Sequence, residues 1–164
     1  MKTRKGFTLI ELIVVIAIIG VLAAILVPSM LGYVKKSKIS SANDAAASVQ
    51  KAFNTALIEL DEAGDLPADG DYHHGKNAVT EITSEDTDVL GKKIMNYMDA
   101  GKKVEFQAKV EGGVCVAVAA SPDGKYLGTY PAGVVTVDNF GSDKTYKAES
   151  FTDALAAAYN KTKD

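Results

Sequence analysis

The sequence predicts an α+β fold, in which a long N-terminal helix packs through its C-terminal half on a four-stranded antiparallel β-meander. Two repeating patterns of apolar residues predict this fold class. From Ile39 to Leu60 the apolar residues recur every three or four positions, which is the period of an amphipathic helix. From Lys103 onward they alternate with polar residues, as in a sheet with one buried and one wet face.

Length and composition limit the classes of protein to which this chain can belong. The 164 residues suffice for one membrane helix and a single domain with its own core. The formal net charge is -3, and no strong basic patch argues for nucleic acid binding. Because Cys115 is the single cysteine, it cannot form an internal disulfide. We expect it to be a small buried apolar residue and not a nucleophile.

The first element is an apolar helix over residues 7–34. No charged side chain occurs from Leu12 to Leu31, and as a helix this stretch is about 30 Å long, the thickness of the hydrocarbon core of a bilayer. A basic leader, residues 1–6, precedes it. Since positive charge tends to stay on the cytoplasmic side, the pattern predicts a single-pass segment with its N-terminus inside.

Glu11 makes this segment more than an anchor. A carboxylate in a membrane helix costs roughly 2.5 to 3.5 kcal/mol and is by default functional. If the chain is cut between Gly6 and Phe7, the new ammonium group of Phe7 lies one helical turn from Glu11. In a bundle of identical helices that ammonium can pair with Glu11 of a neighbouring subunit, so assembly would offset the cost of burial.

The stretch Lys-Gly-Phe-Thr-Leu-Ile-Glu-Leu at residues 5–12 resembles the class III signal of type IV pilins and of the related pseudopilins of type II secretion and DNA-uptake (competence) machines. The resemblance implies that a prepilin peptidase cuts after Gly6, that Phe7 is then N-methylated, and that Glu11 is needed for polymerisation. It covers about residues 1–60. The implied fold is the type IV pilin fold.

Gly20 and Pro28 match the glycine and proline of the family's helix, between which the backbone often loses helical order in filaments. Pro28 is also expected to kink the helix, because it lacks a backbone donor. Many Gram-negative pilins close a C-terminal loop with a disulfide, which a single cysteine does not allow. This departure suits a Gram-positive producer.

Two ordinary alternatives explain the N-terminus less well. A secretory signal has an apolar region of roughly 7 to 15 residues followed by a small-residue cleavage site, whereas the apolar stretch here is longer and includes Glu11. A simple signal anchor explains the apolar run and the basic leader. It explains neither the Gly-Phe junction nor the acid.

The globular head is predicted to cover residues 35–164. Its first element continues the long helix to about Asp61, with Gly64 as the C-terminal cap. The apolar stripe on this part of the helix consists of Ile39, Ala42, Ala46, Val49, Phe53, Leu57 and Leu60.

Residues 62–102 are predicted to hold a loop and a short helix. The loop, residues 64–80, is rich in turn formers. Its Asp69, Asp71, His73 and His74 are conceivable metal ligands, but their spacing matches neither an EF-hand nor a zinc site, and a solvated polar loop is the commoner structure.

An acidic, capped start at Ser84–Asp88 predicts the short helix, which reaches Tyr97 or Met98 and ends by Gly101. Its inward residues are predicted to be Val89, Leu90, Ile94 and Met98.

Residues 103–140 are predicted to form the meander, and residues 141–164 a C-terminal segment. Short turns separate four predicted strands, which are Lys103–Val110, Val114–Ala120, Lys125–Tyr130 and Val134–Phe140. Phe151, Leu155 and Tyr159 lie four apart and predict a helix within Ala148–Asn160, on the sheet edge or beside the long helix. The sequon at Asn160 is uninformative about glycosylation.

An enzyme finds little support, because the only histidines, His73 and His74, are adjacent and no nucleophile has a separately placed base. No cofactor or metal motif is present. The predicted protein is a structural subunit, a major pilin. Before assembly it is predicted to lie in the lipid of the cytoplasmic membrane. Prepilin peptidase then processes it, and the inner-membrane assembly machinery adds it to copies of itself in a surface pilus. The pilus is predicted to serve adhesion and twitching motility. The alternatives are a secretion or competence pseudopilin, and a membrane-anchored binding domain that never polymerises.

Overall fold

The computed structural model describes residues 7–75, 88–98 and 104–163. These residues form an α+β fold with a four-stranded antiparallel sheet, as predicted. In chain order the elements are α1 (Leu9–Ala63), β1 (Gly70–His74), α2 (Val89–Tyr97), β2 (Glu105–Glu111), β3 (Val114–Ser121), β4 (Gly128–Tyr130) and α3 (Phe151–Lys161). The chain divides into two units, residues 1–35 and 36–164.

In the first unit every described residue from Phe7 to Val34 is exposed. The helix is continuous through Gly20 and Pro28. Ser29 donates its hydroxyl to the carbonyl of Leu26 at 2.8 Å, close to the turn that the proline perturbs. Loss of helical order between Gly20 and Pro28 concerns the filament and stays a prediction.

In the second unit α1 buries one stripe of small and large apolar side chains. All seven residues of the predicted stripe are buried, from Ile39 to Leu60. Just past the end of the helix Gly64 adopts a φ of 78°, and the N–H of Asp65 donates to the carbonyl of Leu60 at 2.9 Å. Gly64 is therefore the predicted cap, since only glycine adopts this conformation without strain.

The sheet has the order β1-β2-β3-β4 and is covered on both faces. Its inner face, with Phe106, Val110 and Val118, joins the α1 stripe in the main core. On the outer face Ala117 and Ala119 of β3 contact the apolar side of α3. The predicted wet face is therefore wrong for β3, because α3 packs across β2, β3 and the edge strand β4. The cluster under α3 also includes Ile39 of α1.

Two strands differ from the prediction. Gly70–His74, predicted as a loop, is β1 and pairs antiparallel with β2. Val134–Phe140, predicted as the fourth strand, forms turns and a single bridge between Phe140 and Tyr146. The side chain of Asn139 explains the second difference, because it accepts from the N–H of Thr136 at 2.7 Å and donates to the carbonyl of Val134 at 2.8 Å. These local hydrogen bonds replace those of a sheet partner.

The remaining strands are close to their predicted places, although β4 is shorter than predicted. Gly128 lies where β4 crosses α1 at close range. A Cβ atom at this position would lie 2.2 Å from the backbone carbon of Ala42 and from the backbone nitrogen of Asn43. Beside it the side-chain oxygen of Asn43 accepts the N–H of Thr129 at 2.8 Å. Only glycine allows this approach of the two backbones.

Helix α2 confirms the predicted short helix. Asp88 is the N-cap, and its carboxylate accepts the N–H of Gly91 at 2.8 Å. Leu90, Ile94 and Met98 are buried as predicted, whereas Val89 is 53% exposed. Val89 is the first residue of the helix, where it projects away from the core-facing side. Three predicted boundaries lie outside the described residues. They are the helix cap at Ser84, the helix end at Gly101 and the strand start at Lys103.

Candidate assembly site on the N-terminal helix

Thr8 and Glu11 form a reciprocal cap at the start of α1. The Glu11 Oε2 atom accepts the backbone N–H of Thr8 at 2.8 Å and its hydroxyl at 2.6 Å. In return the backbone N–H of Glu11 donates to the Thr8 hydroxyl oxygen at 3.3 Å. This is a capping box, which satisfies two of the amide groups that every helix leaves unpaired at its N-terminus. The carboxylate also lies at the positive end of the helix dipole.

Sequence reasoning identified Glu11 and missed Thr8. The signal was available, because a Ser or Thr followed three residues later by Glu, just before an apolar run, is the signature of a capping box. The geometry gives Thr8 a role in holding the acid. Its hydroxyl and its N–H give the single carboxylate of this segment two hydrogen bonds within its own chain.

Phe7 precedes the cap residue and is 86% exposed. The structure thus leaves this side chain and the start of α1 accessible. Gly6, on the other side of the predicted cleavage site, lies outside the described residues. Cleavage between Gly6 and Phe7 and methylation of Phe7 stay predictions.

The surface that follows Glu11 is apolar on all sides. Among the described residues, helix α1 is long and apolar enough to cross a membrane. Its most apolar window has a mean hydropathy of 3.2. Large apolar residues from Leu9 to Val34 are each exposed by 45% or more. Soluble monomers rarely expose apolar patches beyond a few hundred Å², so this surface requires lipid or protein around it.

The two aspartates near β1 bind different partners. Asp69 accepts the N–H groups of Gly112 and Gly113 at 2.8 and 3.3 Å, while Asp71 pairs with the ammonium of Lys109 at 3.0 Å. These hydrogen bonds lower the pKa of Asp69. The two aspartates therefore serve the β2–β3 turn and the sheet.

The two histidines point to opposite faces of the sheet, because they are consecutive in a strand. His73 is 7% exposed, and burial lowers its pKa. The ring of His74 packs against that of Phe106, with centroids 5.5 Å apart. Within residues 7–75, 88–98 and 104–163 no group of three His, Cys, Asp or Glu side chains could hold a metal ion.

Cys115 is buried, as predicted. It is 1% exposed, and burial raises the pKa of its thiol to about 12. The thiolate, which is the reactive form, is therefore scarce at neutral pH. The backbone N–H of the same residue donates to the side-chain oxygen of Asn54 at 2.8 Å and ties β3 to α1.

Comparison with known proteins points to one family. The model of the prokaryotic N-terminal methylation motif matches residues 1–27. A protein named type IV major fimbrial protein FimA, from Dichelobacter nodosus, is 34% identical over 90 residues, which is 50% of this chain and 58% of the relative. A fimbrial protein of Pseudomonas aeruginosa is 32% identical over 108 residues, which is 65% of this chain and 60% of the relative.

A third relative, the type IV major alpha-pilin of Moraxella bovis, is 48% identical over 59 residues, or 36% of this chain and 37% of the relative. The chain thus spans about three fifths of the length of the first two relatives and less of the third. No solved structure matches it. The methylation motif and these relatives support a relationship to type IV pilins, and the long apolar helix and four-stranded antiparallel sheet are consistent with the type IV pilin fold.

Proposed function

We propose that this protein is a major structural subunit of a type IV pilus. The observation that carries the proposal is the continuous exposure of the apolar first part of α1, with an acid at its start. Such a surface suits lipid before assembly and the same surface of other copies afterwards. Relatives named as major fimbrial proteins and as a major pilin support the same function.

Apolar burial drives the proposed assembly. Each Å² of apolar surface removed from water contributes about 25 cal/mol. A helix that leaves the membrane for the cell surface would expose its apolar side chains from Leu9 to Val34 to water, unless other helices cover them. Packing against identical helices in a filament core provides that cover. The same helix then serves as membrane anchor and as polymerisation element.

Charge pairing sets the register of the proposed filament. Removal of residues 1–6 creates an ammonium group at Phe7, which pairs with Glu11 of a neighbouring subunit. A slipped arrangement would leave a buried charge unpaired, and that costs several kcal/mol. Before assembly the cap from Thr8 stabilises the carboxylate within its own chain. The Thr8 cap thus holds Glu11 until a partner ammonium is available.

The proposed life of the subunit begins in the cytoplasmic membrane with its N-terminus inside. Prepilin peptidase removes the leader and Phe7 is methylated. The inner-membrane assembly machinery then adds the subunit to a surface filament that serves adhesion and motility. The pseudopilin alternative would place the filament in a secretion or DNA-uptake machine, but relatives named as fimbrial proteins favour the pilus.

Replacement of Glu11 by Gln tests the proposal. The variant keeps the side-chain size but removes the charge, so we expect filaments to disappear from sheared surface material while the protein accumulates in the membrane. Glu62→Gln is the matched control, because Glu62 is an exposed acid in the last turn of the same helix. Wild-type amounts of filament from the Glu11→Gln variant would contradict the proposed charge pairing. Absence of filaments from the unaltered protein would support the non-polymerising anchored domain.

A further inference from the structure

A groove lies on the outer face of the sheet, beside α3. The helix packs on β2, β3 and β4, and the side of the sheet toward β1 borders a cleft of about 300 Å³ between strand and helix. Asp71 and His73 of β1 and Gln107 and Lys109 of β2 form its floor. This volume lies at the lower end of the range for small-molecule sites.

The floor contains two polar side chains that are buried. His73 is 7% and Gln107 8% exposed. The Gln107 Oε1 atom accepts the hydroxyl of Thr152 from α3 at 3.3 Å. The Nδ1 atom of His73, in contrast, is buried and has no hydrogen-bond partner within the described part of the chain. Because a buried polar atom without a partner destabilises the folded state, a donor that reaches this nitrogen would stabilise the head.

The groove carries no net charge. The ammonium of Lys109 lies 3.0 Å from a carboxylate oxygen of Asp71, so the two charges compensate each other. Burial lowers the pKa of His73, which keeps its imidazole neutral at pH 7. An anion would meet the carboxylate of Asp71, and a cation would meet the ammonium of Lys109. The balance favours a neutral ligand.

The helix wall combines polar and apolar groups. Thr152 and Asn160 place a hydroxyl and an amide along the groove, with Leu155 and Ala156 between them. Tyr159 also lines the groove. Its hydroxyl donates to Glu111 at 2.6 Å. Hydroxyl, amide and carboxylate groups beside an apolar strip suit a ligand that has many hydroxyl groups and one face of C–H bonds.

We propose that this groove binds a neutral, hydroxyl-rich ligand, namely one sugar unit of a saccharide. The amides of Gln107 and Asn160 and the carboxylate of Asp71 would exchange hydrogen bonds with its hydroxyl groups, and the apolar strip of α3 would cover its C–H face. The site lies wholly in the second unit, so its function does not depend on polymerisation.

Saturation-transfer NMR on the full chain tests the proposal. The chain is kept in dodecylphosphocholine, a detergent without sugar, and the probes are glucose, galactose and N-acetylglucosamine, with the anionic N-acetylneuraminic acid for comparison. We expect saturation transfer to at least one neutral sugar. Ala156→Trp, at an exposed position of the wall, fills the groove and should weaken binding by about tenfold or more, or 1.4 kcal/mol or more.

Two further variants keep the test independent of folding. Asp153→Trp is the matched control, because Asp153 is exposed on the same helix but does not line the groove, and it should bind like the wild type. Asn160→Ala removes a proposed contact from an exposed position and should also weaken binding. The proposal is overturned by absence of transfer from every neutral sugar, by equal transfer in Ala156→Trp and the wild type, or by transfer from the anionic sugar alone.

Discussion

Substitution of Gly128 by Ala should strongly destabilise the head. The added Cβ would lie 2.2 Å from backbone atoms of Ala42 and Asn43, far inside van der Waals contact, and a backbone cannot move aside as a side chain can. Overpacking of this kind costs about 1 to 3 kcal/mol. Separation of β4 from α1 would also break the hydrogen bond from Thr129 to Asn43, with an unpaired amide costing about 1 to 3 kcal/mol.

Together these terms give a loss of about 2 to 6 kcal/mol in the free energy of unfolding, which lowers the melting temperature of a domain of this size by roughly 5 to 20 °C. Thermal unfolding of the full chain in detergent, followed by near-ultraviolet circular dichroism, measures the change. Gly70→Ala is the control, since a Cβ there meets nothing within 4 Å. A melting temperature of Gly128→Ala within about 2 °C of the wild-type value would contradict this expectation.

Three further predictions concern the cap and two titrating groups. Thr8→Val removes the hydroxyl that donates to Glu11, costs about 1 kcal/mol at the cap, and should lower filament yield in sheared fractions while Thr8→Ser preserves it. Burial lowers the pKa of His73 in the folded state below 6.5, so the unfolded chain binds more protons below that pH and the free energy of unfolding falls there. Denaturant titrations should therefore show a smaller loss of stability between pH 7.5 and 5.5 in His73→Gln than in the wild type. Hydrogen bonds from residues 112–113 lower the pKa of Asp69, so its contribution to stability is present above the unfolded pKa of 3.8 and is lost as pH falls through the lower folded value. Denaturant titrations extended below pH 3.8 should therefore show a smaller loss of stability in Asp69→Asn than in the wild type.

Elements with a strong local period were predictable from the sequence. The stripe from Ile39 to Leu60 is buried as its spacing indicates, and the alternation after Val104 becomes β2. Helix α3 lies within its predicted range, Ala148–Asn160, except for its last residue. In these segments local preference and tertiary packing favour the same conformation.

Tertiary contacts decided the features that could not be predicted. The stretch Gly-Asp-Tyr-His-His has little β-propensity, and becomes β1 because β2 offers it a pairing edge. The apolar run from Val134 looks like a strand, but Asn139 satisfies its backbone locally. Burial of Gln107 depends on where α3 lies, which periodicity does not determine.

At the candidate site the sequence predicted Glu11 and Phe7 from the cost of an intramembrane acid and from the resemblance of residues 5–12 to pilin signals. The hydrogen bonds of Thr8 to Glu11 required coordinates, although their sequence signature was visible. The α3–β1 groove was not predictable, since the β1 part of its floor, with Asp71 and His73, belongs to a segment that was expected to be a loop. Surface grooves of this kind arise from the packing of distant elements and leave no local signal.

The intact mass of the protein in sheared cell-surface material from its native host tests the central claim most directly. We expect a mass that lacks residues 1–6 and carries one additional methyl group, because both changes precede assembly into a filament. A protein found only in membranes, with the full-length mass, would contradict the proposed processing and assembly.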